Sequence, residues 1–150
     1  MNNPPHILFK YPSRNRPNRF FKSLDSIYNN LDDPYNFHVS CTLDLDDSTM
    51  NNKDVIEKIN QYKNISIEWG TSTSKINAVN RSMPNYDWDI CMVVSDDMIY
   101  NIYGFDTMVR VDMMNWFPNM DGLLHYPDQD AKEHLATMVI MGKNFYNKFN

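Results

Sequence analysis

The side chains in this sequence best placed to do chemistry are two acidic pairs and a few cations. Asp46 and Asp47 stand in DLDDST, and Asp96 and Asp97 follow the apolar run ICMVV as SDD. Arg14 and Arg16 lie in PSRNRP, and Lys75 closes GTSTSK. Carboxylate oxygens are hard ligands that suit Mg²⁺ or Mn²⁺, and such an ion can bridge one protein carboxylate to phosphate oxygens while cancelling charge. Acidic and basic groups gathered in one cleft therefore fit a metal-bound phosphate ester. Without the cation, the carboxylates would repel a diphosphate.

These groups need elements to bring them together, and the hydrophobic pattern predicts such elements. HILFKY, His6 to Tyr11, reads as a buried strand ended by the proline-bracketed PSRNRP. Phe20, Leu24, Ile27 and Leu31 then fall on one face of a helix from Asn18 to Leu31. FHVSCTLDL, Phe37 to Leu45, predicts a second strand, and Val55, Ile56, Ile59 and Tyr62 mark a second helix. ISIEW, Ile65 to Trp69, alternates as a third strand, with a helix expected from about Ser74 to Arg81. DICMVV, Asp89 to Val94, is the clearest buried strand. Further on, Gly104 to Phe117 reads as helix, Gly122 to Tyr126 and Thr137 to Met141 as strands, and the NFYNKF end as helix.

Alternating strands and helices predict an α/β fold, a mostly parallel sheet flanked by helices on both faces. Such sheets bind ligands beyond the carboxyl ends of their strands, where loops converge and helix N-termini offer free donors. The four exits here are PSRNRP, DLDDST, GTSTSK and SDD, so the acidic pairs and the cations converge on one prospective cleft.

Composition narrows the function further. With 150 residues, 42% of them hydrophobic, the chain can bury one core, and a single domain over residues 1–150 is expected. Nineteen acidic against 14 basic side chains leave a net charge of −5, so there is no general attraction for nucleic acid or an anionic membrane. The four glycines are too widely spaced for a dinucleotide fingerprint or a P-loop. Cys41 and Cys91 sit inside apolar runs, as buried free thiols do. No apolar stretch approaches the roughly 20 residues of a membrane span, and the start MNNPPH lacks a signal peptide's apolar region, so a cytoplasmic location is expected.

The order of the four exits, with GTSTSKINAVN and MVVSDDMIY, resembles the nucleotide-binding half of the GT-A glycosyltransferases, particularly their large family-2 group. That resemblance covers roughly residues 6 to 142 and implies a nucleotide-diphosphate sugar donor, UDP-linked by preference, a divalent cation (Mn²⁺ or Mg²⁺), and a carbohydrate or other hydroxyl acceptor. It implies Asp97 as metal ligand and Asp96 as ribose or metal-water partner. It further implies Asp47, with Asp46 behind it, as the acceptor of the base's N–H, Ser13 and Asn15 as lining of the base pocket, and Lys75 and Asn80 as the basic-to-Asn segment. Arg14 is a further phosphate or acceptor contact. The glycine usual in the acidic turn is replaced, since Ser48 directly follows Asp47.

Attack by an acceptor hydroxyl needs a carboxylate base. The family places one far beyond its metal motif, and here three alternatives stay open: the chain is a fragment of a longer enzyme, Asp121, Asp128 or Asp130 substitutes, or the donor binds without efficient transfer. A sugar-phosphate nucleotidyltransferase is the rival enzyme class, although PSRNRP lacks the glycine-rich loop it predicts. Taken singly, each acidic pair would also serve as an ordinary turn and helix cap.

Overall fold

The computed structural model describes residues 3–127 and 138–149. Six strands form one sheet in the order β3-β2-β1-β4-β6-β5. The strands are β1 (Ile7–Pro12), β2 (Phe37–Asp44), β3 (Ile65–Gly70), β4 (Ile90–Val93), β5 (Leu123–Leu124) and β6 (Val139–Gly142). The first four run parallel. β6 pairs antiparallel with both β4 and β5, so the sheet is mixed, with a parallel part that carries the exits.

Among the described residues the α-helices are α1 (Pro17–Asn30), α2 (Lys53–Ile59), α3 (Lys75–Asn80), α4 (Phe105–Trp116) and the short α5 (Lys143–Tyr146). The α/β alternation expected from the sequence is present. Boundaries differ where packing overrides periodicity. Tyr62 lies beyond α2, and the strand expected at Gly122 to Tyr126 is reduced to two paired residues. The strand expected at Thr137 to Met141 pairs from Val139 to Gly142, and Thr137 lies outside the described residues.

The alternation of side chains along each strand divides the core between two faces. Ile7, Phe9 and Tyr11 of β1, with Val39, Cys41 and Leu43 of β2, pack against Phe20, Leu24 and Ile27 of α1, Ile59 of α2 and Val109 and Met113 of α4. Leu8 and Cys91 face the other way, against Met83, Trp88 and Tyr146. That second face also buries polar groups. Lys10 is fully buried at the centre of the sheet, its Nζ donating to Ser40 Oγ at 2.9 Å and to the Arg81 carbonyl at 2.6 Å.

Helix starts are set by short polar side chains. Asn52 accepts from Val55 N at the head of α2, and Ser74 Oγ accepts from Asn77 N at 3.1 Å at the head of α3. Caps of this kind stabilise by about 1 kcal/mol each. α4 is fixed differently. Asp106, fully buried, accepts from the backbone N–H groups of Asp32 and Asp33 and from Arg110, whose Nε and Nη2 donate to the carbonyls of Pro5 and Asn36. Among the described residues no helix is long and apolar enough to cross a membrane.

Candidate active site

β1 lies between β2 and β4, so the chain order reverses beside it and the loops after these strands diverge. At this switch point a cleft of about 750 Å³ opens. Residues 12–16 after β1, Thr42, Asp44 and Asp46 of the β2 exit, residues 72–75 and Ala78 around the head of α3, and residues 95–97 after β4 line it. The four exits do meet.

Within the cleft, Asp97 is exposed, and a hydrogen bond from Ser95 holds its carboxyl below the usual carboxylate range, with the charges of Lys75 and Arg16 adding to the effect. Lys75, exposed at the first turn of α3, forms no hydrogen bond or ion pair among the described residues. Asp96 is 7% exposed and already engaged: Ser13 Oγ donates to its Oδ2 at 3.1 Å and Arg16 Nη1 to its Oδ1 at 3.2 Å. Among the described residues, the carboxylate and the ammonium of this cleft that form no ion pair are therefore Asp97 and Lys75.

Arg14 is committed to carboxylates. Its Nη1 donates to Asp44 Oδ2 at 2.8 Å and to Asp46 Oδ1 at 2.9 Å, and its Nη2 to Asp46 Oδ2 at 2.9 Å. Asp46 is exposed and acts as the outer half of that fork. Asp47 is turned away from the cleft and buried within its own loop. Its Oδ1 accepts from the hydroxyl and the N–H of Thr49, and its Oδ2 accepts from Asn15 N at 2.7 Å. Burial alone would raise its pKa, but the bonds from Thr49 and Asn15 outweigh that and hold it low. Asn15 needs this anchor, because its φ of 60° places a non-glycine residue in the left-handed region.

The carboxylate that β2 delivers to the cleft wall is Asp44, the strand's last residue and 6% exposed. Ser72 Oγ donates to its Oδ1 at 2.6 Å, while Arg14 and Arg81 approach from either side. Burial opposes ionisation here, and the Ser72 hydroxyl followed by the two guanidinium groups overcomes it, so Asp44 is held in its charged form. Sequence reasoning passed over Asp44, Thr42 and Arg81. The signal was present in VSCTLD, where Ser40, Thr42 and Asp44 alternate with Val39, Cys41 and Leu43 and so share one face of β2.

Asn80, the last residue of α3, is exposed and does not line the cleft. Asp121 is exposed beside β5 and does not line it either, its carbonyl accepting from Lys148. Asp128 and Asp130 lie outside the described residues.

No family model matches the chain, and no curated protein does. Solved structures do. The mannosyltransferase PcManGT from Pyrobaculum calidifontis, in complex with GDP-Man and Mn²⁺, superposes with a TM-score of 0.73 at 12% identity over 98% of this chain and 47% of its own. S. aureus TarS 1-349 gives 0.66 at 12% identity over 95% of this chain and 48% of its own, and is also known with UDP-GlcNAc. The glucosyl-3-phosphoglycerate synthase from Mycobacterium tuberculosis, in complex with UDP, gives 0.56 at 14% identity, covering 83% and 46%. The fold is GT-A-like.

The chain spans about half the length of these structures. The cleft of its GT-A-like sheet lies where the loops after β1 and β4 diverge. Among the described residues no cluster of three or more His, Cys, Asp or Glu side chains could enclose a metal. One exposed carboxylate, Asp97, next to a second at Asp96, instead suits an ion that takes one or two protein oxygens and completes its shell with phosphates and water, as Mg²⁺ commonly does.

Proposed function

We propose that this chain binds a nucleoside-diphosphate sugar, UDP-linked, together with Mn²⁺ or Mg²⁺, and transfers the glycosyl group to a hydroxyl acceptor. The observation that carries the reading is the meeting of an exposed carboxylate without an ion pair, Asp97, an exposed ammonium, Lys75, and a buried ionised carboxylate, Asp44, in one cleft at the switch point of a GT-A-like sheet. Solved structures with this fold include complexes with GDP-Man and Mn²⁺, with UDP-GlcNAc and with UDP.

In this reading Asp97 and Asp96 hold the cation, which when bound supplies Lewis-acid stabilisation of the diphosphate. Lys75 places positive charge where the leaving group becomes more anionic as the glycosidic bond breaks, an interaction worth most in the transition state. Ser13 fixes the Asp96 carboxylate, and Arg16, released from Asp96 by the incoming donor, turns to phosphate. Asp44 accepts the N–H of the base, and Arg14 keeps it ionised. Asp46, Asp47, Asn15 and Asn80 shape and support the loops around the donor. Of the acidic side chains that could take the acceptor's proton, Asp121 stands outside the cleft, so the role is proposed for Asp128 or Asp130.

Calorimetry with UDP and Mn²⁺, followed by assay of UDP release from UDP-glucose with simple sugars, tests the reading. Mn²⁺-dependent UDP binding and acceptor-stimulated release are expected, and the absence of UDP and GDP binding overturns it. Asp121 lies away from the cleft, and that position favours a second reading in which the chain binds the donor without transferring sugar. Tight UDP-sugar binding with no release in any acceptor would select it.

A further inference from the structure

Arg81 does not line the cleft, yet its guanidinium joins more of the site's framework than any ligand contact would require. It follows α3 directly, with its backbone turned to an extended conformation, and its side chain is 17% exposed. Nη1 donates to the carbonyls of Leu43 at 3.2 Å and Glu68 at 3.4 Å, one on β2 and one on β3. Nη2 donates to Ser72 Oγ at 2.5 Å and reaches Asp44 Oδ1 at 3.4 Å. Ser72 passes the contact on, donating to the same Oδ1 at 2.6 Å.

Two further features exist for this side chain. A Cβ at Gly70 would lie 2.5 Å from Arg81 Cζ, so the guanidinium lies flat over a position where any side chain would expel it. The backbone of Arg81 is pinned from below by the buried Lys10, whose Nζ donates to the Arg81 carbonyl at 2.6 Å. Lys10, Gly70 and Ser72 thus hold one guanidinium against one carboxylate.

We propose that Arg81 is a positioning residue for nucleobase selection, fixing Asp44 as a rigid, ionised acceptor so that the cleft takes bases presenting an N–H on the edge they offer it. The inference rests on the donor-binding reading and deepens it. An ionised carboxylate can only accept hydrogen bonds. Uracil offers N3–H and guanine N1–H, whereas the corresponding ring nitrogen of cytosine or adenine is an acceptor and would face the carboxylate lone pairs. Specificity of this kind comes from the penalty on the wrong partner as much as from the bond to the right one. Arg81 supplies it through Asp44 without touching the ligand, and Arg14 on Oδ2 closes the opposite side.

The test measures UDP and CDP affinity of the full chain with Mn²⁺ by calorimetry, beside thermal melting, for wild type, Arg81→Met, Arg81→Lys and Gly70→Ala. Arg81→Met is expected to weaken UDP about tenfold, the loss of one well-directed charge-assisted hydrogen bond, and CDP much less, so the UDP-to-CDP preference collapses. Arg81→Lys restores charge but not the fork and recovers only part of the preference. Gly70→Ala, which displaces the guanidinium while keeping it in the chain, reproduces the collapse even where Arg81→Met does not fold. An unchanged UDP-to-CDP ratio in a folded Arg81→Met or Gly70→Ala protein, whatever its melting temperature, overturns the inference. Absence of UDP, GDP and CDP binding in the wild type overturns the donor-binding reading itself, and this inference with it.

Discussion

Ser13 Oγ donates to Asp96 Oδ2 over 3.1 Å, tying the exit of β1 to the exit of β4 across 83 residues of sequence. This bond crosses the switch point of the sheet, and it leaves the neighbouring Asp97 as the carboxylate that faces the cleft without a hydrogen-bonding partner from another strand exit. The division of labour between two adjacent aspartates, one built into the protein and one offered outward, organises the first expectation.

Asp97→Ala removes the outward carboxylate and is expected to abolish Mn²⁺-dependent UDP binding in calorimetry. Because Asp97 is exposed, stability should change by no more than about 0.5 kcal/mol. Undiminished binding would remove the metal role from this residue.

Thr42 Oγ1, in the cleft floor, is the buried side-chain polar atom that lacks a hydrogen-bond partner among the described residues. A desolvated, unsatisfied hydroxyl costs about 1–3 kcal/mol, and valine keeps the shape without it. Thr42→Val should therefore raise the denaturant midpoint of the ligand-free protein with an unchanged m-value. A lowered midpoint would show that the hydroxyl is satisfied.

Arg110→Met strands the fully buried Asp106 carboxylate and frees the carbonyls of Pro5 and Asn36. Breaking a buried pair on one side typically costs about 3–5 kcal/mol. Chemical denaturation should show a loss of that order. A loss below about 1 kcal/mol would mean that the pair does not anchor α4.

Burial is the main cause that pushes the Lys10 ammonium down to about 8 from the ordinary 10.5, with the charge of Glu68 opposing it. Between those values the unfolded chain binds more protons than the folded one, so this group makes stability rise with pH. Below about 8 the penalty for burying the charge is present in full. The difference in unfolding free energy between wild type and Lys10→Met, followed from pH 7 to 10, should therefore move in favour of the wild type. A flat difference would show that Lys10 keeps its ordinary affinity for protons.

Local patterns carried a good part of the fold. The strand exits were legible because each strand is a short apolar run stopped by turn residues, and the helices because Phe20, Leu24 and Ile27 recur at helical spacing. The direction of β6 was not legible. An apolar run such as VIM reads the same in either direction, and its antiparallel pairing with both β4 and β5 is visible only in the assembled sheet.

The sequence by itself determined that acidic and basic groups follow the parallel strands, since polarity switches where a buried strand ends. Only the tertiary structure decided which of them face the cleft. Asp44, Asp46 and Asp47 are near neighbours in the chain, yet Asp47 turns inward to clamp Asn15, Asp46 pairs with Arg14, and Asp44 meets Arg81, 37 residues away. The physical reason is that a carboxylate's role depends on the donors that reach it, and here those donors arrive from the exit of β1 and the end of α3, brought near by packing that short-range spacing does not encode.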